Sequence, residues 1–89
     1  MNKASKLLKP LKQKSARELL AVNVRMHRAR LGMTKEELAN VAGIDRGYIG
    51  QIESEARSVS VNIIDRLALG LQVSVAQLFI DHGKDSDAT

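Results

Sequence analysis

The sequence contains no cysteine, so neither a disulfide framework nor a thiolate metal site can form. That absence fits a reducing compartment. No apolar run approaches the roughly 20 residues that span a bilayer, and the basic N-terminal stretch lacks the apolar segment of a secretory signal. A soluble, cytoplasmic protein is expected. Nothing reads as a strand, no internal repeat is present, and no glycine-rich phosphate loop follows a strand. His27 and His82 lie in separate contexts, and His27 falls within an apolar helical stripe with no second ligand nearby. It reads as a packed residue rather than a metal ligand. Glu36 and Glu37 are adjacent on an exposed face, while Asp45, Ser15, Ser60 and Ser74 stand at helix starts. No catalytic constellation, cofactor or small-molecule effector site is indicated, which argues against an enzyme.

What the sequence has is enough for one small folded domain. It runs to 89 residues, 44% of them hydrophobic, which supports a single core. The net charge of +4 is unevenly placed. Residues 1–17 carry six basic side chains and no acid, residues 18–80 balance seven against seven, and residues 81–89 set one lysine against three aspartates. The expected layout is a basic flexible arm over 1–14, broken by Pro10, a helical domain over 15–80, and an acidic flexible tail over 81–89. A basic arm either holds DNA phosphates through counterion release or simply solubilises the terminus.

Five helix starts can be read from their caps. Ser15 and Glu18 form an S-x-x-E capping box, so a first helix is predicted from about Ala16 to Leu31. Its inward stripe is Leu20, Val24, His27 and Leu31, and Gly32 ends it. Thr34 and Glu37 form a second box, followed by Leu38, Ala39 and Ala42 at helical spacing and by Gly43 as a stop. Asp45 caps a short third helix whose buried face is Ile49 and Ile52. Ser60 caps a fourth helix carrying Ile63, Ile64, Leu67, Ala68 and Leu71, with Gly70 near its end. Ser74 and Gln77 make a further box for a short fifth helix with Val75, Leu78 and Phe79. The fold class predicted is all-α, with five helices.

Two short helices joined at one glycine, with small Ala39 where they approach, make a helix-turn-helix over about residues 34–53. In that motif the second helix lies in the major groove and its early outward residues meet base edges. Here those are Arg46, Gly47, Gly50 and Gln51, with Tyr48 beside them. Arginine can bond bidentately to guanine and glutamine to adenine. Gly47 and Gly50 remove two side chains from that face, so either the helix approaches the bases very closely or little is read there.

The ordered motifs R-x-x-x-G at Arg28–Gly32, T-x-x-E-L-A at Thr34–Ala39, Gly43, Y-I-x-x-I-E at Tyr48–Glu53 and A-L-x-L-x-V-S at Ala68–Ser74 resemble the lambda-repressor-like, or XRE/Cro, helix-turn-helix family. The resemblance covers about Leu20 to Phe79. It implies a five-helix DNA-binding domain in which Arg28 pairs with Glu53 to orient the first helix. The stretch Ile44 to Ile49, followed by Arg57, is most similar to controller proteins of restriction–modification systems. By that resemblance Arg46, Tyr48 and Arg57 face the operator, and Thr34 and Lys35 make phosphate contacts. Ser54, at the start of the loop, is assigned to the DNA backbone with them. Relatives often have glycine at the position of Glu55 and proline at that of Val59, so a different loop path is expected there.

Two functions are carried forward. The first is a sequence-specific transcriptional regulator binding double-stranded DNA as a homodimer on a roughly palindromic operator. Val73, Val75, Leu78, Phe79 and Ile80 form its candidate dimer surface, although some of them must close the core. The second is a protein-interaction module, such as an antitoxin or adaptor, on the same fold.

Overall fold

The computed structural model describes residues 14–83; of the expected arm over 1–14 all but Lys14, and of the expected tail over 81–89 residues 84–89, lie outside them. Four α-helices are found among the described residues: α1 (Ala16–Arg30), α2 (Lys35–Ala42), α3 (Arg46–Glu53) and α4 (Val61–Leu71). A 3-10 segment, Val75–Phe79, follows them, and no strand occurs among these residues. No described helix is long and apolar enough to cross a membrane.

Local chemistry sets the helix ends. At α1 the Glu18 amide donates to the Ser15 hydroxyl at 3.2 Å, while the Ser15 amide donates to the Glu18 carboxylate at 2.9 Å. Two of the orphan amides at the helix start are thereby satisfied. The same reciprocal box opens α2 through Thr34 and Glu37, and the 3-10 segment through Ser74 and Gln77. Gly43 leaves α2 at φ 68°, a left-handed conformation that glycine adopts without cost.

The predicted fifth helix is a 3-10 segment instead. Only five residues separate its cap from Ile80, whose backbone is already extended. That length leaves little room for an α-helical ladder, and 3-10 geometry suits short pieces that tuck one side chain inward. The side chain tucked in is Leu78, which is fully buried.

The core is a single cluster in which Leu20 and Val24 of α1 meet Leu38 of α2, Ile49 and Ile52 of α3, and Leu67 and Leu71 of α4. Each such burial contributes on the order of 1.5–3 kcal/mol before chain entropy is counted. Gly70, near the end of α4, is a packing residue: a Cβ there would lie 3.1 Å from Ala42 and 3.3 Å from Leu38 and Val41. The close approach of α2 and α4 depends on its missing side chain. Leu31, predicted to face inward, is exposed, because α1 ends at Arg30 and Leu31 is the cap residue from which the chain turns away.

One buried polar group holds the end of the domain. Asn23 has no exposed surface, and its amide donates to the carbonyls of Leu19 at 2.8 Å and Ile80 at 2.9 Å. Its carbonyl accepts from His82 at 2.9 Å. Every hydrogen-bonding group on that amide has a partner, as burial requires. Lys14 also pairs with Asp81 at 3.7 Å. The first residues assigned to the tail are therefore held against α1.

Candidate nucleic-acid interface

The two helices of the helix-turn-helix are fixed from two sides, by three arginines. From α1, Arg28 reaches Glu53 with two parallel bonds, Nε to Oε2 at 2.7 Å and Nη2 to Oε1 at 3.0 Å. Its Nη1 also donates to the Met33 carbonyl at 2.9 Å, so one guanidinium joins α1, the α1–α2 turn and the end of α3. The Glu53 side chain is 5% exposed and that of Arg28 is 21% exposed. Hydrogen bonding to Glu53 raises the Arg28 guanidinium above its usual range against the opposing pull of burial. Arg25, one turn earlier, donates to the Glu53 backbone carbonyl. That places positive charge where the α3 dipole ends negatively. On the other side, Arg66 of α4 donates to the Gly43 carbonyl at 3.0 Å, holding the turn itself.

Held this way, α3 buries Ile49 and Ile52 and turns Arg46, Gly47 and Gln51 outward. Asp45 caps it, accepting from the Gly47 amide at 2.9 Å. Arg46 lies 3.9 Å from Glu36 of α2, with both side chains about two-thirds exposed, so water screens the pair and Arg46 stays available to a partner. Around Gly50 the space is open: a Cβ there would meet nothing within 4 Å. No packing need of the free protein accounts for that glycine.

Tyr48 is half-buried, with its ring against the core cluster. Above the ring lies the guanidinium of Arg57, 4.2 Å from the centroid. Arg57 also donates to the Gln51 side-chain carbonyl at 2.9 Å. Three of the sequence-predicted residues thus form one assembly. Thr34 and Lys35 are exposed at the start of α2, where the Thr34 hydroxyl already accepts from the Glu37 amide at 3.0 Å. Ser54 is the cap at the end of α3, and its hydroxyl donates to the Gln51 backbone carbonyl at 3.2 Å. The loop beyond it passes through Glu55 at φ 63°. This is the left-handed conformation that a glycine would take freely and that a residue with a Cβ adopts at a cost.

The profile of a helix-turn-helix family matches residues 24–78, more than half of the chain. The protein belongs to the XRE-type helix-turn-helix family. Among the relatives of this family member is control protein C.SmaI of Serratia marcescens. It is 37% identical over 67 residues, covering 75% of this chain and 80% of the relative. The crystal structure of the restriction–modification controller protein C.AhdI from Aeromonas hydrophila superposes with a TM-score of 0.67. It shares 34% identity over 68% of this chain and 92% of that one. The controller protein C.Esp1396I, solved as a tetramer in complex with its natural 35 base-pair operator, gives a TM-score of 0.68. Its identity is 28%, over 75% of this chain and 88% of that one.

Within this family member the candidate dimer surface divides. Val75 and Ile80 are exposed, at 42% and 47%, while Val73 and Phe79 pack partly against the core. Leu78 has no exposed surface and is not available to a partner, because the 3-10 turn drives it between α1 and α4. Sequence reasoning also missed Arg66 and Asn23. Each acts on a backbone carbonyl far away in sequence, and no local pattern announces such a contact.

Proposed function

We propose that this chain is a sequence-specific DNA-binding transcriptional regulator, acting as a homodimer on a roughly palindromic operator in the manner of a restriction–modification controller protein. The observation that supports it most directly is the outer face of α3. It projects Arg46 and Gln51, carries Gly47 and Gly50 between them, and is braced through Glu53 and Gly43 by three arginines. An operator complex of a relative, C.Esp1396I, points the same way.

On this reading α3 enters the major groove, where Arg46, Gly47, Tyr48 and Gln51 meet base edges. Thr34, Lys35, Ser54 and Arg57 hold the phosphate backbone, which sets register without carrying sequence information. Val73, Val75, Phe79 and Ile80 supply the dimer surface, and the 3-10 segment stands in for the fifth helix of a lambda-repressor-like domain. The protein works in the cytoplasm, as a binder rather than an enzyme, without a cofactor.

Selection of bound sequences from a random duplex library at near-physiological salt tests this directly. The expected result is an enriched inverted repeat whose half-sites are centred about one helical turn apart, roughly 34 Å. A retained but random pool, or no retention at all, would overturn it.

A further inference from the structure

Arginine has only N–H donors, so the atom of Gln51 that faces Arg57 at 2.9 Å must be its carbonyl oxygen. Chemistry, rather than the resemblance of amide O and N, settles the orientation of the side chain. The amide NH2 is then the group left for a partner. Arg57 is in turn held over the Tyr48 ring at 4.2 Å, and that ring is seated on the core. The order of support runs from core to Tyr48, from Tyr48 to Arg57, and from Arg57 to Gln51.

Glutamine reads adenine by using both ends of its amide, accepting from N6 and donating to N7. Arg57 takes one of the two lone pairs of the Gln51 carbonyl and sets a guanidinium charge beside the other, so a further donor at that oxygen is disfavoured while the amide N–H groups stay free. Such a group matches an edge that presents acceptors alone, and the guanine edge with O6 and N7 is such an edge. Adenine would bring its N6 amino group against the guanidinium charge. We propose that Gln51 selects guanine, not adenine, and that Arg57 sets this choice by holding the Gln51 carbonyl. Arg57 is thus a positioning residue for base specificity as well as a cation near the phosphates. This rests on the DNA-binding regulator reading above.

The test compares wild type, R57A, Q51A and the double variant, each on the same operator with the base pair facing Gln51 set to each of its four states. All of these side chains are exposed, and thermal melts check that the variants fold. Wild type is expected to favour guanine over adenine at that pair by on the order of tenfold. R57A lowers affinity for every sequence and in addition shifts that one preference towards adenine, because the carbonyl is released. Q51A flattens the position, and R57A adds no change in preference there once Gln51 is gone. The proposal is overturned if wild type prefers adenine at that pair, or if R57A weakens all four sequences by one factor. Preferences that persist at the other operator positions in those cases would leave the regulator reading standing. Loss of sequence preference everywhere, or no DNA binding, would overturn both.

Discussion

Replacing Gly50 by alanine should move stability and DNA affinity in opposite directions. The residue lies inside α3, and its carbonyl accepts from the Ser54 amide at 3.1 Å. Glycine in a helix interior costs about 1 kcal/mol relative to alanine, because more backbone freedom is lost on folding. The added methyl would meet no atom within 4 Å, so no steric term offsets the gain. For a domain of this size, 1 kcal/mol corresponds to a rise in Tm of about 4–8 °C. Gly47→Ala provides the comparison within the same helix. There the Cβ would stand 3.0 Å from the Asp45 carboxylate that caps α3, so displacing the cap cancels the propensity gain and Tm stays near wild type. Thermal unfolding and fluorescence anisotropy on the selected operator measure the two quantities. With α3 pressed against the groove, the Gly50→Ala methyl should cost about tenfold in affinity or more. Failure of Tm to rise would refute the account of the open face. A rise in Tm with undiminished operator affinity would refute close approach as the reason for the glycine.

Glu53→Ala strands the half-buried Arg28 and should destabilise the domain by about 2–4 kcal/mol, somewhat below a fully buried pair because Arg28 is 21% exposed; a double-mutant cycle with Arg28→Ala in urea should show strong coupling, and additive losses would contradict the geometry. Glu55→Gly relieves a left-handed residue at φ 63°, and the gain outweighs the greater freedom of glycine in the unfolded chain to leave roughly 0.5 kcal/mol of stabilisation. An unchanged or lowered denaturation midpoint would count against that. Burial lowers the His27 pKa in the folded domain, as do the nearby charge of Arg30 and, more weakly, His82, with the Gln77 backbone opposing them. The unfolded chain therefore takes up a proton first: stability is full above pH 6.5 and falls as the pH drops from there towards the folded-state value. His27→Gln should flatten that part of the urea midpoint–pH curve, and an unaltered slope would assign it to other groups. Ile80→Asp places a charge on the exposed part of the candidate dimer surface, so sedimentation should report a monomer with weakened operator binding, and a persisting dimer would move the interface elsewhere.

The helix starts were legible because their chemistry is local. Ser15 with Glu18, Thr34 with Glu37 and Ser74 with Gln77 each need only three-residue spacing, and each pair closes as a capping box. The glycines at 32 and 43 marked ends by the same logic, both standing at φ 68°. What spacing could not convey is how far a turn tightens or which carbonyl a long side chain finds. Leu78 carried the same apolar signal as Ile80, and only the 3-10 winding sends one inward and leaves the other at the surface. Gln72 takes the left-handed position after α4 at φ 60° although Gly70 stands two residues before it; that glycine is used where α2 presses against α4. On the interface, sequence suggested that Gln51 reads bases and that Arg57 lies near the backbone. The bond between them depends on the course of the loop from Ser54 to Val59, which the composition of that loop did not specify.

The Asn23 hub has a kinetic meaning. Its bond to the Ile80 carbonyl closes a sequence separation of 57 residues, and that to His82 one of 59. The capping contacts and the α2–α3 hairpin join residues close in the chain and can form within microseconds. Long-range closure must first overcome the entropy of the intervening chain. The hairpin is therefore expected to assemble before α1 is locked, with the return of the chain end to Asn23 following. Substitutions there should leave the refolding rate nearly unchanged and act mainly by hastening unfolding. The same α1 carries Arg25 and Arg28 to the end of α3. The far end of the domain and the orientation of α3 thus share one element, α1, and a substitution that loosens Asn23 is expected to loosen both.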